Sequence, residues 1–73
     1  MDAAALDEEL VRLHGRVEAA ARLSELHEAA AALQPTHEAR RFQITHAWVF
    51  ALVDGDEGRA ARLERELRAL GGL

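Results

Sequence analysis

Ala47-Trp48-Val49-Phe50-Ala51-Leu52-Val53-Asp54-Gly55-Asp56-Glu57 is the stretch that decides how this chain folds. A strongly apolar run meets a tight acidic turn, and an Arg/Glu-rich segment follows. Gly55 has access to the left-handed backbone that closes a helix, and Asp56 can accept the free N–H groups at the start of the next. The stretch therefore predicts two helices joined by a short turn, which forces them antiparallel. It also holds the only Trp and one of the two Phe residues, so its distinctive chemistry is packing chemistry.

Downstream of the turn, helix 3 is expected over about 57–70, with Ala60, Leu63, Leu67 and Leu70 on one stripe. Arg59, Arg62, Glu64, Arg65, Glu66 and Arg68 occupy its other side, with Glu64 and Arg68 in the favourable i,i+4 order. Gly71-Gly72 ends it. Upstream, helix 2 is expected over about 36–53. Thr36 is a good N-cap for it, and Glu38 sits in the first turn beside the positive end of the helix dipole. At 100° per residue, Phe42, Ile44, Trp48, Val49, Leu52 and Val53 cover about half of its circumference, and Ala47, Phe50 and Ala51 widen that arc. So broad an arc requires more than one neighbour. Helix 2 is the central element.

Pro35 separates helix 2 from what precedes it, because proline disfavours helical geometry in the residue before it and lacks the N–H needed to continue. Helix 1 is expected over about 2–33, with an apolar stripe of Leu6, Leu10, Leu13, Val17 and Ala20 continuing through Leu23, Leu26, Ala30 and Leu33. The run of threes from Ala20 to Leu26 rotates the stripe, which argues against one supercoiled seam. Gly15 is the weak point, compatible with a kink, a break or a close helix contact; the stripe around it favours continuity. A helix of that length is roughly 45 Å long, against roughly 25 Å for helix 2 and about 20 Å for helix 3. The hairpin does not cover it. Leu6, Leu10, Leu13 and Val17 then form an exposed apolar stripe, which predicts a homodimer built on helix 1. The competing arrangement breaks the chain near Gly15 and folds the first segment back as a fourth short helix.

The expected fold is thus all-α: one helical domain over 1–73, a three-helix antiparallel bundle with a long N-terminal helix, dimeric. Composition agrees. Of 73 residues 16 are Ala, which favours helix but contributes little buried area per residue, so a core this small benefits from a partner. There is no Cys, which excludes disulfides and thiolate zinc sites. The acidic N-terminus lacks the basic start and long apolar centre of a signal peptide, and no apolar run reaches the roughly 20 residues needed to span a bilayer. A cytoplasmic location without membrane attachment is the expectation.

No catalytic motif is present: there is no phosphate-binding glycine loop and no nucleophile elbow, and Ser24 is the only serine. No two of His14, His27, His37 and His46 are three or four residues apart, the spacing that places two ligands on one helix face. We therefore expect neither enzyme activity, nor metal, nor cofactor. His46 lies at i,i+4 from both Phe42 and Phe50, a ladder that reads either as a pH-sensitive imidazole or as a histidine packed at an interface or core edge. Arg40, Arg41, Arg59, Arg62, Arg65 and Arg68 are interspersed with Glu, and the net charge is −4, so a solvated ion-pair face is favoured over nucleic-acid binding.

In the hairpin, Gly55-Asp56 matches the inter-helix turn of the tetratricopeptide repeat, Ala60 falls at the small position of its second helix and Leu63 at the apolar position that follows. Ile44 fits the large apolar position early in the first helix. The segment from Ala39 to Gly72 therefore resembles one such repeat. It departs from the pattern at Trp48 and Leu67, where the family has small residues, and at Gly72, where proline is common. The resemblance implies helix-pair packing and protein interaction, and carries no binding residues with it. The functional expectation is a non-catalytic protein-interaction or assembly module that self-associates through Leu6, Leu10, Leu13 and Val17, with Phe42, His46 and Phe50 as a second surface. The alternative is a nucleic-acid-associated regulator using the Arg face of a dimer.

Overall fold

The computed structural model describes residues 2–13 and 19–73, and the side chains of all of these except 11–13. The described elements are all helical: α1 (Ala3–Leu13), α2 (Ala20–Ala32), α3 (His37–Asp54) and α4 (Glu57–Ala69). Asp2 opens α1 by accepting the Ala5 N–H at 2.8 Å. Thr36 caps α3 by accepting the Ala39 N–H at 3.1 Å, and Asp56 caps α4 by accepting the Arg59 N–H at 3.0 Å. Gly55, at φ 81°, closes α3 in the left-handed region where a Cβ is costly.

The long N-terminal helix is corrected to two. A helix over 2–33 would be about 45 Å long, whereas the greatest extent of the molecule is 30 Å. Leu6 and Leu10 of α1 are buried in one cluster with Leu23, Leu26 and Ala30 of α2, with Phe50 of α3 packed against it. In a continuous helix Leu6 and Leu23 would stand about 25 Å apart, so α1 is folded back on α2. The stripe around Gly15, read as favouring continuity, is equally satisfied by burying its two halves against each other. Gly15, His14 and Val17 lie outside the described residues. Arg22 of α2 ties the pair together with a two-pronged contact to Glu9, 2.9 and 3.2 Å.

A second cluster joins α2, α3 and α4: Ala31, Ile44, Ala47, Ala51, Ala60, Leu63 and Leu67, with Trp48 and Leu70 packed at its edge. Alanines line the α3 side of that cluster, so the neighbouring helices approach closely and the large aromatic side chains are left at the rim. α3 lies between α2 and α4, as its broad apolar arc requires, yet its neighbours cover only part of the arc.

Polar groups bind the three helices from within. Ser24, fully buried, donates to the Ala47 carbonyl at 2.7 Å and accepts from Arg59 Nε at 2.8 Å, linking α2, α3 and α4 through one hydroxyl. Arg59 Nη2 reaches Glu28 Oε1 at 2.6 Å, and Arg62 grips both oxygens of the same carboxylate at 2.7 and 2.8 Å. The Arg62 hydrogen bonds hold the Glu28 carboxyl below its ordinary pKa against the opposing effect of burial, with the charges of Arg62 and Arg59 adding to the depression.

Candidate interaction surface

α3 has two apolar sides. Ile44, Ala47 and Ala51 face the core and are buried. Phe42, His46, Val49 and Val53 follow in four-three-four spacing, which confines them to an arc of about 60° on the opposite side. Phe42, Val49 and Val53 are 59%, 44% and 55% exposed, and Leu52, at the edge of the same face, is 53% exposed. These four side chains give α3 an uncovered apolar stripe about three turns long.

The aromatic residues at the start of the stripe are ordered by stacking. The His46 ring lies 4.4 Å from Phe42 and 5.0 Å from the buried His27 of α2, and His27 in turn stacks on Phe50 at 5.6 Å. The ladder expected along α3 therefore runs through a residue of α2. His46 Nδ1 donates to the Phe42 carbonyl at 2.8 Å, since a carbonyl can only accept, and this fixes its tautomer and ring plane. His27 Nδ1 pairs with Gln43 Oε1 at 2.8 Å. Phe42 is held against an ordered ring with most of its own surface in water.

The sequence-derived candidates separate clearly. Leu6 and Leu10 are 2% and 8% exposed within the chain, which takes these two out of the exposed stripe on which a helix 1 dimer was expected. Leu13 closes α1 with its side chain outside the description, and Val17 lies outside the described residues. Phe42 is open, His46 is half-buried in the stripe, and Phe50 is half-buried against the α1–α2 cluster. Val49, Leu52 and Val53 belong to this surface but were read from sequence only as part of the helix 2 arc. Their signal was the four-three-four spacing from Phe42 opposite Ile44, Ala47 and Ala51.

Charge is distributed unevenly around the stripe. Glu38 lies one turn before Phe42 on the same side of α3, while Asp54, the last residue of the helix, is turned about 100° away from Val53, and Asp56 and Glu57 follow at the start of α4. Glu38, Asp54 and Glu57 make no ion pair among the described residues. The two arginines of α3 are directed elsewhere: Arg40 Nε donates to the Gln34 carbonyl at 3.1 Å and Arg41 Nη1 to the Leu70 carbonyl at 3.3 Å. An open groove of about 370 Å³ beside the first turns of α3 is lined by Gln34, Thr36, Glu38, Ala39, Phe42 and Gln43. A second, of about 420 Å³, lies over Ala31, Ile44 and Leu70, and its Glu28 is already held by two arginines.

The Arg face is largely engaged. Arg59 and Arg62 serve Glu28, and Arg68 pairs with Glu64 at 3.1 Å. Among the described residues no three His, Cys, Asp or Glu side chains are grouped to hold a metal ion, and no helix is long and apolar enough to cross a membrane. Comparison with known proteins returns no matching family model, no matching curated protein and no matching solved structure.

Proposed function

We propose that this chain is a non-catalytic helical protein-interaction module whose working surface is the outer face of α3. The observation that carries this reading is the alignment of Phe42, Val49 and Val53, each about half exposed or more, opposite the buried side of the same helix. The solvent-facing side of a helix in a stable small domain is ordinarily polar, and a contiguous apolar stripe ordinarily marks a partner surface. The resemblance of the sequence from Ala39 to Gly72 to one tetratricopeptide repeat implies the same class of function.

Self-association through α1 loses its support with Leu6 and Leu10 in the core, and α3 takes the place of helix 1 as the contact element. The nucleic-acid reading is weakened by the same geometry, because Arg59, Arg62 and Arg68 already face carboxylates and an excess of free basic charge is what phosphate recognition needs. The test is a native pull-down with the whole chain and with a Phe42→Ser, Val49→Ser variant. A protein retained by the parent chain and lost from the variant, with unchanged circular dichroism, supports the reading. An identical set of retained proteins contradicts it.

A further inference from the structure

The open groove of about 370 Å³ beside the first turns of α3 holds an aromatic ring and a carboxylate within one helical turn of each other. Glu38 and Phe42 both line it, and their i,i+4 spacing places their Cβ atoms about 6 Å apart. One side of the Phe42 ring is taken by His46, at 4.4 Å and tilted by 47°, while 59% of the residue remains exposed. Glu38 makes no ion pair among the described residues. Gln34 Nε2 donates to the Ala30 carbonyl at 3.2 Å, which leaves Oε1 of this groove residue as a further acceptor. The arginine nearest in sequence, Arg40, is engaged elsewhere: its Nε donates to the Gln34 carbonyl, and the residue lines the other groove, over Ala31 and Ile44.

We infer that this groove receives an arginine side chain of the partner protein, an assignment that rests on the outer face of α3 being a partner surface. A guanidinium is flat and weakly hydrated, so it stacks on an aromatic ring while its fork of N–H donors engages a carboxylate. Phe42 supplies the ring, Glu38 the carboxylate and Gln34 an additional acceptor. A lysine fits less well, because its ammonium is compact and strongly hydrated. The positive end of α3 opposes a cation here; the negative end of α2, which stops at Ala32 two residues before Gln34, offsets it together with Glu38. The chain itself is a poor source of the arginine. Arg22, Arg40, Arg41, Arg59, Arg62 and Arg68 are each bonded within the chain, which leaves Arg65 among the described arginines.

The probes are N-acetyl-arginine amide and its lysine and glutamine counterparts, titrated into the isotopically labelled whole chain and followed by amide chemical shifts. The arginine compound is expected to saturate shifts at Glu38, Ala39, Phe42 and Gln43 in the millimolar range of a small ligand on an open site, with lysine several-fold weaker and glutamine without effect. Glu38→Gln and, separately, Phe42→Ala are each expected to weaken the arginine compound several-fold with unchanged circular dichroism. Equal binding of arginine and lysine, or arginine binding unmoved by Glu38→Gln, overturns the assignment. The native pull-down separates it from the broader reading. A partner lost from the Phe42→Ser, Val49→Ser variant but retained in full by Glu38→Gln leaves the interaction surface standing and removes the arginine. A dimer found by sedimentation equilibrium and dissolved by either Glu38→Gln or Arg65→Gln overturns the inference in favour of a second copy.

Discussion

Arg59 Nε donates to Ser24 Oγ at 2.8 Å across thirty-five positions of the chain. The hydroxyl passes the link on to the Ala47 carbonyl at 2.7 Å, so α2, α3 and α4 meet at one buried polar atom. Removing it strands a guanidinium N–H and frees the α2–α3 contact. We predict that Ser24→Ala lowers stability by about 1–3 kcal/mol, the usual consequence of leaving a buried donor unsatisfied. Urea unfolding followed by circular dichroism measures this, and an unchanged midpoint would refute it.

Glu28 gives the fold a defined acid sensitivity. Its carboxyl is held below the ordinary value of 4.5 in the folded chain by Arg62 and then Arg59, so the unfolded state binds more protons. The stabilisation is therefore complete above pH 4.5 and is lost as pH falls through the lower folded value. Glu28→Gln should reduce stability at neutral pH and flatten the fall in stability across that acidic window. A variant with the parent's full acid slope would show that other carboxylates are responsible.

Leu6 is the main anchor of α1. Leu6→Ala should cost about 2–4 kcal/mol, in the range for a leucine removed from a packed core. Hydrogen exchange will localise the effect. Amides of α1 should lose protection first, while those of Ile44, Leu63 and Leu67, in the other cluster, keep most of theirs.

Two glycines near the hairpin turn should respond with opposite sign. Gly55 has φ 81°, so Gly55→Ala forces a Cβ into left-handed backbone and should destabilise by about 1 kcal/mol. Gly58 lies in the first turn of α4, where an added Cβ meets only Asp56 Oδ1 at an ordinary 3.8 Å. Gly58→Ala should stabilise by up to about 1 kcal/mol through helix propensity. Paired thermal melts of the two variants separate these outcomes, and a shift of the same sign in both would contradict the turn geometry.

Local chemistry was the legible part of this fold. Thr36, Gly55 and Asp56 act at helix ends because caps depend on a few neighbouring residues, and the arc around Ile44 and Trp48 identified the central helix. What was not legible depended on distant parts of the chain meeting. The apolar pattern from Leu6 to Leu33 is as regular in two helices packed on each other as in one long helix, so periodicity alone did not reveal the fold-back. Arg59 and Arg62 read as solvent-facing because their partners, Ser24 and Glu28, lie more than thirty positions away. The candidate surface was legible only in part. Phe42 and His46 were visible as an i,i+4 pair, but exposure at Val49 and Val53 depends on which side of α3 its neighbours leave open.

The most direct test of the α3 assignment is the pattern of amide chemical-shift changes when a protein retained by the whole chain in the native pull-down is titrated into the isotopically labelled chain. A continuous set of shifts is expected through Phe42, His46, Val49, Leu52 and Val53, with α4 positions around Arg62 and Arg65 little changed. Shifts centred on the α4 arginines or on α1, with the outer face of α3 unmoved, would contradict it.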